Sequence, residues 1–215
     1  MNKLLSTWIS KKYLSETFLK KTSSSFQKKK PFSHVVLYDF FVKEKINTLS
    51  EALKKIMYEE KNADLFSFLQ SLDLKTIPEP IIQKFVLFYT SQSFQEYIQK
   101  LCKTNNLAHA DLSAFIYQDG DYLLPHDDRL EKRQIAYVIN LSEKMLKKDG
   151  GRLQFFNTKK VKGRVVPVKI VKSFIPTYNT LFLFKVSKNS FHQVEEVTSK
   201  KQRRSIGGWF HAKRL

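Results

Sequence analysis

Three residues of the sequence have the types and spacing of a mononuclear metal site. His126 and Asp128 are two positions apart, directly after the apolar run Tyr122–Leu124 and Pro125, and His192 follows in a later strand-like run. Side chains two apart in an extended segment point to the same side, so His126 and Asp128 can converge on one ion. Two imidazoles and one carboxylate on one face of an octahedron leave three positions open, an arrangement typical of Fe(II) oxygenases.

The same residues have an interpretation that requires no metal. His126 would then lie in a solvated loop, and His192 would pack within a strand. The donor types favour iron over zinc, because imidazole and carboxylate suit Fe(II) whereas thiolate ligands favour zinc. Cys102 is the single cysteine of the sequence, so no thiolate pair is available. The spacing by itself leaves both interpretations open.

Arg203 and Ser205 add a second functional element to the pattern. In a strand these two residues share one face, where a planar guanidinium and a hydroxyl can hold one carboxylate. A dicarboxylate that chelates iron through its 2-oxo acid end needs such a partner for its distal carboxylate. Arg203 could instead be one more basic residue of a basic tail, but Trp209 and Phe210 indicate an interior strand. Arg204 is the alternative candidate for the same role.

The first half of the chain is predicted to be mainly helical. Residues 1–30 are rich in Lys and Ser, and we expect a basic extension with one helix and a linker at Ser23–Ser25. His34–Phe41 is expected to be a buried strand or a turn. Apolar spacing and flanking breakers predict helices at Lys43–Tyr58, Asn62–Leu72 and Ile81–Lys103.

After Asn106 the sequence changes to short β-type runs separated by turn signals such as Gly150-Gly151. The predicted strands are Ala110–Tyr117, Tyr122–Leu124, Gln134–Leu141, Arg152–Phe156, Val165–Val171, Thr180–Phe184, Ser190–Val194 and Arg204–Phe210. Such a series suggests a jelly roll or a small barrel, and helices followed by strands are α+β by class. We therefore expect one domain over residues 31–215, with helical support from 31–105 and a double-stranded β-helix core from 106–215.

Five motifs, taken in order, resemble the 2-oxoglutarate/Fe(II) dioxygenases. They are His126-Asp127-Asp128, Arg133–Leu141, Gly150–Phe156, His192-Gln193-Val194 and Arg203–His211. Within this family, the likeness is to the catalytic domain of the eukaryotic and fungal prolyl hydroxylases that modify a small-subunit ribosomal protein. It covers Ser113–His211, with a weaker likeness at Pro31–Phe41.

The resemblance implies roles for the matched residues, with no catalytic side chain beyond the metal ligands. The implied Fe(II) ligands are His126, Asp128 and His192. The implied contacts to 2-oxoglutarate are Arg203, Tyr117 and Ser205. The implied residues of the substrate pocket are Trp209, Asn140 and Arg133. Fe(II) would be the cofactor, 2-oxoglutarate and O2 the co-substrates, and ascorbate a candidate reductant.

The activity implied by the resemblance is hydroxylation of a target proline in a protein or peptide, with a ribosomal protein among the candidates. A nucleic-acid oxidative demethylase of the same family is the alternative enzyme, which the positive charge favours. Such demethylases usually carry a second arginine six positions beyond the clamp, where this sequence has Trp209. A third interpretation is a non-catalytic basic module that binds RNA or the ribosome. A small-molecule hydroxylase would share every motif, because the site determines the chemistry and not the substrate.

The charge of the sequence is strongly positive, +18 at pH 7. Gly150–Val194 contains nine Lys or Arg residues and no Asp or Glu. This basic C-terminal half can serve solubility, or it can meet an anionic partner such as RNA, a ribosome or an acidic protein surface. No apolar run approaches the ~20 residues that span a bilayer, and one cysteine fits a reducing compartment. We expect a cytoplasmic protein without membrane association.

Overall fold

The computed structural model describes residues 3–130 and 132–213. The helices are α1 (Lys3–Trp8), α2 (Glu16–Phe26), α3 (Lys43–Leu53), α4 (Pro80–Tyr89) and α5 (Gln92–Cys102). The strands are β1 (His34–Tyr38), β2 (Tyr58–Ala63), β3 (Phe66–Ser71), β4 (Leu107–Ala110), β5 (Ser113–Tyr117), β6 (Tyr122–His126), β7 (Arg133–Asn140), β8 (Leu153–Val161), β9 (Arg164–Phe174), β10 (Thr180–Lys185), β11 (His192–Val194) and β12 (Arg203–Ala212). None of the helices in these two ranges has the length and apolar character needed to cross a membrane.

The strands pair antiparallel in the order β1-β10-β7-β12-β5-β3-β6-β11-β8-β9, while β2 pairs with β3 and β4 pairs with β12. β3 joins the two halves of this path, since Leu69 and Gln70 pair with β5 while Phe66 and Ser67 pair with β6. The sheet therefore curls into a half-barrel. Each strand predicted after Asn106 overlaps an observed strand, and the α+β double-stranded β-helix is confirmed.

Helices cover the outer face of the curled sheet, and β7 shows how the two faces separate. Ile135 and Ile139 pack in the large core that also contains Phe94 of α5. Ala136 belongs to a second cluster with Phe184, inside the barrel. Successive side chains of a strand point to opposite faces, so β7 has one buried set of side chains on each face. A shift of one residue would exchange the two sets, and their burial therefore defines the register of β7. The inner face is then available for a site.

The first thirty residues contribute to this core, although the sequence suggested a basic extension. Trp8, Ile9 and Phe26 are buried, and Trp8 stacks on Phe88 with ring centroids 5.5 Å apart. The predicted linker at Ser23–Ser25 is wrong, because these residues lie within α2. Burial of Phe26 at the end of α2 keeps this segment helical against the domain.

The helix predicted at Asn62–Leu72 is wrong, because β2 and β3 form a hairpin there with Ala63 opposite Phe66. Phe66 and Phe68 stack with ring centroids 5.1 Å apart, and the ring of Phe68 lies 5.3 Å from that of Tyr117. Two aromatic residues at a spacing of two gain more by packing on the barrel than by helix formation. Together with β1, this hairpin places strands within the predicted helical support.

Two predicted helices have different bounds in the structure. Ile81–Lys103 is divided into α4 and α5, because the Ser91 side chain accepts a hydrogen bond from the backbone N–H of Phe94 and so caps α5. The helix predicted over Lys43–Tyr58 ends at Leu53. The remainder of that segment leads into β2, whose pairing with β3 outweighs its helical spacing.

Gly150 and Gly151 form the tight turn before β8 that the sequence predicted. Their φ angles are 70° and 66°, in the left-handed region. A Cβ atom on Gly150 would lie 2.0 Å from the backbone oxygen of Glu196. The close approach allows Gly150 to form an isolated bridge with Val197.

Gly150→Ala is expected to lower the free energy of unfolding by more than about 2 kcal/mol, since it combines left-handed strain with a backbone clash. Gly163→Ala is the matched control, because its φ of 82° gives the strain while nothing lies within 4 Å of its Cβ position. Urea unfolding of both variants measures the difference. Equal losses would show that the approach to Glu196 contributes nothing.

Candidate active site

β6 and β11 bring the two predicted histidine ligands together. His126 at the end of β6 pairs with His192 at the start of β11, and their ring centroids are 4.2 Å apart. The Asp128 carboxylate faces both rings, with Oδ1 3.2 Å from His126 Nε2 and Oδ2 3.3 Å from His192 Nε2. One ligand atom from each residue lies within 4.8 Å of the others. These three residues are therefore arranged to hold one ion.

Backbone groups orient the cluster. His126 Nδ1 hydrogen-bonds the carbonyl oxygen of Leu124 at 2.8 Å, and His192 Nδ1 hydrogen-bonds that of Ser190 at 2.8 Å. A carbonyl can only accept, so each Nδ1 carries a proton and each Nε2 is the ring nitrogen that is directed toward the carboxylate and available to a metal. Asp128 has a φ of 63°, a left-handed conformation that aspartate tolerates, which turns its carboxylate back toward the rings.

Burial and mutual attraction set the protonation states of the cluster. Burial opposes ionisation of Asp128, but the charge of His192 and the hydrogen bond from His126 outweigh it and hold the pKa of that carboxyl well below its usual range. Burial, and then the charge of His126, lowers the pKa of His192 to about 4. At neutral pH the cluster thus offers an anionic carboxylate and a neutral imidazole, the forms that bind metal.

Arg203 is a buried cation with no carboxylate partner among residues 3–130 and 132–213. Its Nη1 donates to Ser205 Oγ at 3.2 Å, its Nε has no hydrogen-bond partner, and its guanidinium carbon lies 4.8 Å from the centre of the Tyr117 ring. Burial lowers the pKa of Arg203, but a guanidinium stays charged at neutral pH. An unpaired buried charge is strongly unfavourable, so this position is suited to an anionic ligand.

The other predicted contacts to 2-oxoglutarate surround the same guanidinium. Tyr117 on β5 pairs directly with Arg203 on β12, and Ser205 follows on the same face of β12. Burial raises the pKa of Tyr117 to about 12, so its phenol remains a hydrogen-bond donor. Arg204 points to the opposite face, where its Nε and Nη2 donate to Gln202 Oε1 at 3.1 Å and 2.6 Å. Because side chains alternate between the two faces of β12, Arg203 faces the cavity and Arg204 does not.

A cavity of about 240 Å³ contains both the histidine–aspartate cluster and the Arg203 side chain. Its walls are mainly apolar and include Phe68, Phe115, Leu123, Val138, Leu153, Phe184 and Val194. The sequence interpretation did not identify these walls. Phe115 could have been found as the residue two before Tyr117 on the same strand, whereas Phe68 lay within the segment predicted as a helix. Apolar walls keep bulk water away from both polar ends.

The three residues predicted for the substrate pocket occupy different places. Trp209 lines the cavity. The guanidinium carbon of Arg133 lies 3.5 Å from the centre of the Trp209 ring, so Arg133 covers the indole rather than lining the cavity. Asn140 is buried but does not line the cavity either, because it lies beyond Val138 along β7. Trp209 is thus the member of this set that a ligand in the cavity would meet.

The half-barrel, the histidine–aspartate cluster and the buried arginine define an oxygenase type of site, and comparison with known proteins identifies the class. The family described as the 2OG-Fe(II) oxygenase superfamily matches residues 112–211. Residues 112–211 thus match a 2OG-Fe(II) oxygenase domain. Such a domain implies Fe(II), 2-oxoglutarate and O2. The two imidazoles and the Asp128 carboxylate fit Fe(II), and the unpaired guanidinium fits a carboxylate of 2-oxoglutarate.

Curated relatives are prolyl hydroxylases. The prolyl 3-hydroxylase OGFOD1 of Xenopus laevis is 37% identical over 185 residues, which are 84% of this chain and 35% of that protein. The prolyl 3,4-dihydroxylase OGFOD1 of Ostreococcus tauri is 32% identical over 213 residues, which are 91% of this chain and 41% of that protein. The chain thus spans less than half the length of these relatives.

Solved structures share the fold at lower identity. A Pseudomonas putida prolyl-4-hydroxylase superposes with a TM-score of 0.69 at 16% identity, covering 91% of this chain and 100% of the other. A Trichoplax adhaerens prolyl hydroxylase, solved in complex with a hypoxia-inducible-factor peptide fragment, has a TM-score of 0.65 at 12% identity, covering 93% and 95%. These likenesses support the double-stranded β-helix.

Arg203→Ala is expected to weaken binding of N-oxalylglycine, a 2-oxoglutarate analogue, at least roughly thirtyfold, because a buried charge pair contributes about 2–5 kcal/mol. Arg204→Ala is the matched control and should leave the affinity unchanged. Calorimetry with Mn(II)-loaded protein under anaerobic conditions measures both. Mn(II) affinity should be the same in all three proteins, and a larger loss in Arg204→Ala would contradict this assignment.

Proposed function

We propose that this chain carries a 2-oxoglutarate- and Fe(II)-dependent prolyl hydroxylase that acts on a protein substrate. The observation that carries the proposal is the presence of the buried, unpaired Arg203 in the same cavity as the cluster around Asp128. A histidine–aspartate cluster by itself fits many metals. An anion site in the same apolar cavity suits a co-substrate that reaches the metal at one end and presents a carboxylate at the other. The names of the curated relatives supply the prolyl substrate class.

The polar residues around the cavity then have defined tasks. The proposed Fe(II) ligands are His126, Asp128 and His192. The proposed contacts to the distal carboxylate of 2-oxoglutarate are Arg203, Tyr117 and Ser205. When bound, iron with 2-oxoglutarate and O2 supplies the oxidising power that hydroxylates a C–H bond. The planar guanidinium fixes the direction of the co-substrate, and the protonated phenol of Tyr117 adds a second donor.

The proposed place for the target proline is next to Trp209. Its indole lines the cavity, and the guanidinium of Arg133 contacts the ring by a cation–π interaction. A proline ring is compact and apolar, so it packs well on an aromatic face. The apolar walls exclude water from the reacting carbon. We propose residues 31–215 as the domain that contains all of these parts.

Turnover decides between this activity and its alternatives. With Fe(II), 2-oxoglutarate, O2, ascorbate and proline-containing peptides of small-subunit ribosomal proteins, the protein should form succinate and CO2 and add one oxygen atom to a proline, as detected by mass spectrometry. Asp128→Asn keeps the side-chain size but loses the ligand charge, so it should give neither product. Formaldehyde release from methylated DNA or RNA, without peptide oxidation, would instead establish a demethylase. Binding of RNA without any turnover would establish the non-catalytic module.

We also propose an anionic partner, RNA on a ribosomal surface, that binds the β8–β9 hairpin. The two strands join through a two-residue turn at Lys162-Gly163, and Val161 pairs with Arg164. The hairpin exposes Lys159, Lys160, Lys162, Arg164 and Lys169. Its base begins at Leu153, which lines the cavity, so the hairpin extends outward from the candidate active site. The buried thiol of Cys102 is compatible with the cytoplasmic compartment that such a partner requires.

Reversing three hairpin charges, in Lys159→Glu/Lys160→Glu/Lys162→Glu, should weaken binding to a ribosomal RNA fragment and reduce its salt dependence by roughly two units of slope. The matched control is Lys28→Glu/Lys29→Glu/Lys30→Glu, which makes the same change in net charge at exposed positions elsewhere. Filter binding over a range of salt concentrations measures both. An equal loss in the two variants would show that net charge, and not the hairpin, determines binding.

A further inference from the structure

Four of the five histidines of the chain lie in two histidine–aspartate clusters, and the proposed oxygenase activity uses one of them. The second cluster consists of His109, Asp111 and His211, and none of these residues lines the cavity of the candidate active site. We propose that this second cluster is a separate site for a divalent metal ion, with Zn(II) as the ion used to test it.

Strand pairing assembles the second cluster. His109 on β4 pairs with His211 near the end of β12, and their rings lie parallel, 8° from coplanar orientation, with centroids 4.4 Å apart. Asp111 follows β4, and its Oδ2 lies 2.7 Å from His211 Nε2. One ligand atom from each of the three residues lies within 4.8 Å of the others. Two imidazoles and one carboxylate therefore face one small volume.

The backbone of Asp111 is fixed independently of any metal. Its N–H donates to the carbonyl oxygen of Trp209 at 3.0 Å, and its own carbonyl accepts from the hydroxyl of Tyr137 at 2.6 Å. Gly208 permits this approach, because a Cβ atom there would lie 2.3 Å from the Asp111 carbonyl oxygen. The carboxylate is thus held next to β12 before an ion arrives. Preorganised ligands of this kind lower the entropy lost on binding.

A bulge in β12 turns His211 toward the cluster. The register of β12 shifts between Phe210 and His211 on the β7 side, and between His211 and Ala212 on the β4 side. Bulges of this type redirect a side chain. His211 is 4% exposed whereas His109 is exposed, so the cluster is anchored on one side and open to solvent on the other. An ion can enter from the open side, and water can complete its coordination.

The donor set is one that zinc accepts. Three protein ligands and a water form a common tetrahedral zinc site, with metal–nitrogen distances of about 2.0–2.1 Å. Ligand atoms on such an ion lie about 3.3 Å apart, whereas the three ligand atoms here lie within 4.8 Å of one another and His211 Nε2 lies 2.7 Å from Asp111 Oδ2. Small side-chain rotations would therefore suffice for coordination. The bound ion would cross-link β4 to β12, the strand that also carries Arg203. The alternative is a metal-free hydrogen-bonded pair of His211 and Asp111.

Zinc stoichiometry of the full chain tests the proposal. After equilibrium dialysis against Zn(II), elemental analysis should find two ions per wild-type chain, because the active-site cluster also accepts zinc. His109→Ala and His126→Ala should each retain one ion, and the double variant should retain none. His109 is exposed, so its replacement leaves the core intact. Asp119→Ala, which removes an exposed carboxylate outside both clusters, is the matched control and should retain two.

Thermal unfolding provides a second readout that needs no enzyme activity. Zn(II) should raise the Tm of His126→Ala, since a ligand that binds the folded state stabilises it, and should not raise the Tm of His109→Ala/His126→Ala. If folded His126→Ala binds no zinc, or if the additional His109→Ala change leaves its zinc content unaltered, the second site does not exist. Either result leaves the oxygenase proposal untouched, because that proposal depends on the other cluster.

Discussion

The antiparallel pairing of β6 with β11 is the interaction on which the geometry of the active site depends, because it sets His126 opposite His192. Side chains alternate across a strand, so a slip of one residue would turn an imidazole to the opposite face. β11 has only three residues, and β8 stabilises it from the other side by pairing Phe155 with His192. The turn at Gly150-Gly151 starts β8 and is itself bridged to Val197. The positions of His126 and His192 therefore depend on the pairing of β11 with β6 and β8.

The second constraint is electrostatic, since one apolar cavity contains an anionic cluster and an isolated cation. Asp128 is charged and faces two imidazoles, while Arg203 has no acidic partner in the described part of the chain. In a low-dielectric cavity each of these charges is unfavourable until a ligand of opposite sign arrives. A metal ion compensates the first, and a carboxylate compensates the second. The cavity thus selects a ligand with two different ends rather than a simple anion.

β12 connects the features that the function requires. Its first half presents Arg203 and Ser205 to the cavity, its middle presents Trp209, and its end carries His211 in the second cluster. Gly208 has no side chain, so the backbone of Asp111 can approach β12 closely. The strand is central in the sheet, paired with β5 and β4 along one edge and with β7 along the other. The arginine site and the second cluster therefore lie on one strand of the sheet.

The sequence by itself determined the fold class and identified the candidate residues that the structure brings together around one cavity, because metal and carboxylate binding need particular residue types at a spacing of two along strands. It did not determine which of Arg203 and Arg204 faces the cavity, since that depends on which side of β12 is covered. It also missed the wall residue Phe68, because local helical spacing was overridden by barrel packing. His109 and His211 are remote in the chain, and only the pairing of β4 with β12 brings them together. Tertiary contacts decided these points because burial and register are properties of the assembled sheet.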